Sequence, residues 1–129
     1  MKPSFACGLV LFALLPFTAC SSDGSADALG VGAQCAATAD CNTDLHETCL
    51  TQFKGGYCGL SPCTHDTDCP VDSACIHHSD NINYCFRTCA DKPACNANRD
   101  AANEANCSST ATFVDPAMGR KACVPPNGN

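Results

Sequence analysis

The sequence predicts a small disulfide-rich fold: three tandem four-cysteine units built from turns and short β-hairpins, with little regular secondary structure. Three observations point to it. Cysteine supplies 14 of the 129 residues, about 11%, above the roughly 8–10% that marks a disulfide scaffold. After Cys20 only sixteen large apolar residues remain and there is no tryptophan, so covalent links must do much of the stabilising. The cysteines also recur in a repeating pattern. A net charge of −6 argues against a nucleic-acid binder, which would need a basic face.

Residues 1–19 read as an export signal. Lys2 gives a positive start, and the 13-residue apolar run from Phe5 to Phe17 is short for a membrane span but suits a signal-peptide core. Leu14-Leu15-Pro16-Phe17-Thr18-Ala19-Cys20, followed at once by Ser21-Ser22-Asp23-Gly24-Ser25, resembles the lipobox of bacterial lipoproteins, with Phe17 where Leu is usual. The resemblance implies that Cys20 is acylated, becomes the mature N-terminus and ties the protein to a membrane. In that family Ser21, following the lipidated cysteine, implies passage to the outer membrane or cell surface. The alternative is an ordinary secretory signal cut after Ala28, releasing a soluble protein. Both routes lead to an oxidising compartment, where disulfides persist. Removing Cys7 with the signal and committing Cys20 to lipid leaves twelve cysteines, an even number. Residues 20–34, rich in Gly, Ser and Ala and without an aromatic residue, are expected to form a flexible tether.

The units follow in order. Unit 1 (35–62) is Cys35-x5-Cys41-x7-Cys49-x8-Cys58. Unit 2 (63–88) is Cys63-x5-Cys69-x5-Cys75-x9-Cys85. Unit 3 with its tail (89–129) is Cys89-x5-Cys95-x11-Cys107-x15-Cys123. Neighbouring residues repeat too: Ala39-Asp40-Cys41 matches Thr67-Asp68-Cys69, and Gly56-Tyr57-Cys58 matches Asn83-Tyr84-Cys85, whereas unit 3 has Ala94 and Ala122 at those places. This pattern resembles the short cysteine-rich repeats of myxobacterial-type surface lipoproteins and, more distantly, EB-module and EGF-like repeats. Four cysteines allow three pairings, among which sequence cannot choose. The expectation adopted is first-to-third and second-to-fourth, because interleaved bridges close longer loops.

Local chemistry is mostly that of turns. Asn42-Thr43-Asp44 and Pro70-Val71-Asp72-Ser73 read as turns, and 52–57 as a hairpin bend on Gly55-Gly56. Two helical turns are expected over 98–105, a strand over 111–114 and a frayed tail over 124–129.

Little catalytic chemistry is on offer. Every mature cysteine fits a bridge or the lipid, so no activated thiol is expected. The four histidines lie among Ser and Asp residues without a recognisable motif, and no nucleophile elbow, zinc-binding helix or phosphate loop is present. No cofactor is expected. Calcium near Asp66, Asp68 and Asp72, which resemble the acidic residues of calcium-binding EGF-like modules, is the better candidate ion; against it, Asp40 and Asp68 can simply accept backbone N–H bonds in a turn. A His77-His78 metal site ranks lower, since exposed histidines are usually just solvated.

The functional expectation is a lipid-anchored, non-catalytic surface module for adhesion or macromolecular recognition. It would contact a protein or glycan through loops carrying Phe53, Lys54, Tyr57, His77 and Tyr84, and present an extended, semi-rigid face. The alternative is a disulfide-stapled protease inhibitor, with Lys54 or Arg87 as a trypsin-type specificity residue. For Tyr57 and Tyr84 the competing reading is that each packs on its own disulfide in a small core.

Overall fold

The structure, a computed structural model, describes residues 30–128. The signal segment, Cys20 and most of the expected tether lie outside the described residues.

Each unit is the same small device. Between its first two cysteines the chain makes a tight turn: 3-10 turns at Thr38–Asp40 and Asp66–Asp68, and a one-turn helix α1 (Lys92–Cys95) in unit 3. An aspartate holds each turn by accepting N–H bonds that the turn leaves unpaired. Asp40 accepts from Ala36 and Ala37 (2.9 and 3.0 Å), and Asp68 from Thr64 and His65 (2.8 and 3.0 Å). Unit 3 has Ala94 at that position, and its turn is capped from the opposite end, where Asp91 accepts from the Ala94 N–H at 3.0 Å. A hairpin follows in units 1 and 2, formed by β1 (Thr48–Cys49) with β2 (Cys58–Gly59), and by β3 (Ser73–His77) with β4 (Asn83–Cys89). In unit 3 β5 (Asn106–Ser108) pairs with β7 (Lys121–Val124), with β6 (Thr112–Phe113) between them in sequence.

The third and fourth cysteines face each other across the strands in all three pairs: Cys49 and Cys58, Cys75 and Cys85, Cys107 and Cys123. They do not bond to each other. Each reaches back to the turn, giving Cys35–Cys49, Cys41–Cys58, Cys63–Cys75, Cys69–Cys85, Cys89–Cys107 and Cys95–Cys123. Every unit is thus a turn strapped across two paired strands by two bridges.

The units do not stand apart as an extended array. Units 2 and 3 merge into one antiparallel five-stranded sheet of order β5-β7-β4-β3-β6. β5 and β6 lie at opposite edges although only residues 109–111 separate them. Four strand spacings amount to about 19 Å, more than the ~14 Å that the chain from Ser108 to Thr112 can span. The sheet therefore curls, and Ala111 and Phe113 are drawn against the core.

That core is shared. Phe53 and Tyr57 from unit 1, Ile76, Tyr84 and Phe86 from unit 2, and Ala122 from unit 3 form one cluster, joined by Val31 and Leu50. Phe53 meets Tyr84, Phe86 and Tyr57 edge-on at 5.2, 5.5 and 6.2 Å between ring centres, while Tyr84 and Phe86 stack at 5.7 Å. Both arrangements suit the ring quadrupole.

Several expectations are corrected here. Residues 30–34, expected in the tether, are folded. Val31 is fully buried, Gly32 donates to the Cys58 carbonyl, and Gln34 bonds to Asp100 and Asn103 in unit 3. The tail is tied down as far as residue 128, because Lys54 donates to the Pro126 carbonyl and Gly128 to that of Gln52. In place of two helical turns over 98–105 there is one 3-10 turn at Ala101–Asn103. Arg99 is the reason. Its guanidinium turns inward and donates to the carbonyls of Gly32, Gly56, Lys54 and Asn103 at 2.8–3.1 Å, and regular helix geometry would not leave the Asn103 carbonyl in its reach.

Candidate functional site

The β3–β4 hairpin ends in a braced tip. The Asp80 carboxylate accepts from the Tyr84 hydroxyl at 2.8 Å and from the Ile82 N–H at 3.0 Å, and His78 Nδ1 lies 3.3 Å away. Burial alone would raise the Asp80 pKa, but these donors outweigh it and hold the carboxyl below its usual range. Tyr84 responds in the opposite sense: burial and the Asp80 bond raise its hydroxyl. The ring of His78 sits edge-on to Phe53 at 5.2 Å, so the base of the tip is anchored in the aromatic core. Asn81, in the left-handed region at φ 66°, completes the turn.

Beside the tip, Pro62, Cys63, Thr64, His77, Asn81, Ile82 and Asn83 line an open cleft of about 500 Å³. His77 Nδ1 lies 2.8 Å from Asn83 Oδ1, and the Asn83 amide donates to the Cys63 carbonyl at 3.0 Å. These bonds fix two polar side chains at the cleft wall, while Ile82 stays 45% exposed at its edge. An apolar side chain held in water next to ordered amide and imidazole groups can contribute both desolvation and directional bonds to a partner.

The residues singled out from the sequence divide sharply. His77 is exposed at this cleft. Phe53, Tyr57 and Tyr84 are 1%, 0% and 2% exposed and cannot touch a partner in this fold; with so few large apolar residues available, the rings were needed inside. Tyr57 accepts from the Arg87 N–H at 3.1 Å and donates to the Cys123 carbonyl at 3.3 Å, joining all three units through one hydroxyl. Burial first, against the pull of the Arg87 N–H and the nearby Arg99 charge, raises that hydroxyl far above the ordinary tyrosine range.

Compared with known proteins, the chain matches no family model, no curated protein and no solved structure.

Lys54 and Arg87 lack the geometry of an inhibitor's specificity residue, which must offer its own backbone to the protease as a strand. The Lys54 N–H is spent on Pro126 and its carbonyl on Arg99. Arg87 lies within β4, opposite Ser73 of β3, its N–H taken by Tyr57. Two of the three acidic residues considered for calcium are also engaged elsewhere. Asp66 accepts from the Cys75 N–H and from the Arg120 guanidinium, and Asp68 Oδ2 from the N–H of both Thr64 and His65 and from the Thr64 hydroxyl. Among the described residues, the only groups of metal-binding side chains that converge are cysteines already in disulfides. A further ion pair closes the opposite side of unit 2, where Asp115 accepts from the Asp66 N–H at 2.8 Å and contacts His65 at 3.1 Å. The His65 pKa rises through its bond to Asp115, and that of Asp115 falls through the Asp66 N–H and then His65.

Sequence reasoning missed Arg99, Asp80 and the pair Arg120 and Lys121. For Arg99 a usable signal was present: a lone arginine among Asn, Ala and Asp in a chain with few basic residues.

Proposed function

We propose that this protein is exported, anchored to the outer membrane or cell surface through lipid on Cys20, and acts there as a non-catalytic recognition module for a protein or glycan. One observation carries the reading: the β3–β4 tip is braced by Asp80 and Tyr84 beside an open cleft lined by His77, Ile82 and Asn83. A loop ordered in advance loses little conformational entropy on binding. The disulfide frame supports the exported address, since such frames are kept in oxidising compartments. The motif reading of residues 14–20 supports the anchor.

The anchor is tested by intact mass and detergent-phase partitioning of the protein expressed in a bacterial host that acylates lipoproteins. A diacylated N-terminus at Cys20 and loss of partitioning in Cys20→Ala are expected; a free N-terminus at Leu29 overturns it. Recognition is tested by comparing the protein with Ile82→Asp and His77→Ala on glycan arrays and in surface crosslinking on cells. A ligand captured by the parent and lost in both variants supports the tip as the contact, and equal capture by all three overturns it.

A further inference from the structure

None of the residues lining the cleft beside the hairpin tip is Asp, Glu, Lys or Arg. Asp80, the carboxylate of the tip, is engaged by Tyr84 and the Ile82 N–H. The chemistry on offer is therefore neutral, and the hydrogen bonds of the cleft wall fix which atoms are available. The Cys63 carbonyl can only accept, so the Asn83 amide faces it with Nδ2, at 3.0 Å, and turns Oδ1 to the ring of His77. Oδ1 can likewise only accept, so His77 Nδ1, 2.8 Å away, carries the ring proton. In the neutral ring this leaves a lone pair on Nε2. Among the described residues nothing bonds to Nε2 or to the side-chain amide of Asn81, and both residues are exposed. The cleft thus presents an oriented acceptor, an unengaged amide that can both donate and accept, and the exposed apolar side chains of Ile82 and Pro62.

The backbone around these groups is already paired. The Cys63 carbonyl is taken by Asn83 Nδ2 and the Asn83 carbonyl by the Ser61 hydroxyl. His77 lies in the sheet between Asn83 of β4 and Thr112 of β6. A peptide finds no open strand edge here to extend. A charged ligand finds no opposite charge to offset its lost hydration. A sugar ring meets neither obstacle: its hydroxyls can donate to Nε2 and exchange bonds with the amide, while its C–H face covers Ile82 and Pro62. The volume of about 500 Å³ falls within the ~300–1,000 Å³ of small-ligand sites.

Building on the tip as the contact surface, we propose that its cleft binds an uncharged sugar. His77 Nε2 accepts from one ring hydroxyl, and the Asn81 amide bonds another.

The test is NMR titration of the disulfide-intact protein with glucose, galactose, mannose, N-acetylglucosamine and rhamnose, with glucuronate and glucosamine as charged controls. At least one neutral sugar should give saturable shifts at the amides of His77, Asn81 and Ile82. Its affinity should be the same at low and high salt, because no charge is screened. His77→Phe keeps a flat ring and removes the acceptor. Asn81→Gly removes the amide at a position whose φ of 66° suits glycine. Each should weaken binding about five- to tenfold, the loss of one hydrogen bond, with the spectrum elsewhere unchanged. Saturation by glucuronate or glucosamine alone, or an affinity unchanged in both variants, would overturn the proposal. No saturation by any sugar, while Ile82→Asp still abolishes capture of a cell-surface protein, would overturn the sugar and leave the tip as a protein-binding face. Saturable shifts confined to residues outside 62–83 would overturn both the sugar site and the tip.

Discussion

Units 1 and 2 share a cysteine frame, an aspartate-held turn and a tyrosine before the fourth cysteine, yet they are stabilised differently. The hairpin of unit 2 is long, with strands of five and seven residues, and is flanked on both sides by strands of unit 3. That of unit 1 pairs only Thr48–Cys49 with Cys58–Gly59. Its wide loop turns Phe53 into the common core and closes through Gly55 and Gly56, both in the left-handed region. At Gly56 a Cβ would lie 2.1 Å from the Cys35 carbonyl oxygen, so no other residue fits. Unit 1 has few ladder hydrogen bonds and is held instead by borrowed groups: the Arg99 guanidinium, the Pro126 carbonyl and the 31–34 segment. A disulfide frame sets how a turn sits on two strands, and the residues between the cysteines decide what the strands then pair with.

The largest effect should come from removing the borrowed cation. Arg99→Ala strips a charged donor from four carbonyls in three parts of the chain and leaves a cavity beside Tyr57, whose ring lies 5.6 Å from the guanidinium. We expect a loss of more than about 3 kcal/mol. Thermal unfolding measures the total. Hydrogen exchange distinguishes the regions: amides of 50–58 should lose protection before those of β3 and β4. Uniform loss would mean the two units unfold as one.

The two tyrosines give the next contrast. Tyr57→Phe leaves the Arg87 N–H and the Cys123 carbonyl without their buried partner, a cost of about 1–3 kcal/mol. Tyr84→Phe removes a bond to Asp80, which solvent reaches, and should cost less while loosening the tip. Denaturant midpoints for the two variants should therefore fall in that order, and the reverse order would show that the tip, rather than the junction of the units, limits stability.

Much of the cysteine device was legible in the sequence because it is local. Bridges run between residues 12 to 28 apart in sequence, and the Asp40 and Asp68 turns sit beside the cysteines they position. The rest depends on contacts far apart in the chain. Nothing in residues 109–113 marks β6 as the partner of β3, since that pairing follows from the curl of the sheet. The fate of Phe53, Tyr57 and Tyr84 was within reach of arithmetic: in a chain with sixteen large apolar residues after Cys20, aromatic rings are drawn to the core before they are spared for a ligand.

The smallest predicted effect concerns one position that the units fill differently. Two residues before the third cysteine, unit 1 has Glu47 and unit 2 has Ser73, and both are buried, at 1% and 8% exposure. Both reach back to the residue after the second cysteine: Glu47 Oε2 accepts from the Asn42 N–H, and the Ser73 hydroxyl donates to the Pro70 carbonyl. The serine is satisfied by its one bond, whereas Glu47 Oε1 has no partner. Burial raises the Glu47 pKa, against the opposing pull of the Asn42 N–H. A carboxyl whose folded pKa exceeds its unfolded one binds protons more readily in the folded state. Its contribution is therefore fully present below the unfolded carboxylate pKa and is lost as pH rises through the raised value. Glu47→Gln keeps the acceptor for Asn42 and removes the buried charge, so it should stabilise the protein at neutral pH by something on the order of 1 kcal/mol and abolish that part of the pH slope. Asp40 and Asp68, whose pKa values are lowered by the backbone N–H groups they accept from, act in the opposite sense and weaken the fold only as the medium becomes acidic. Unfolding midpoints of parent and Glu47→Gln from pH 4 to pH 7 measure the difference. Parallel curves would show that the carboxylate keeps its ordinary pKa and that this difference between the units carries no energetic consequence.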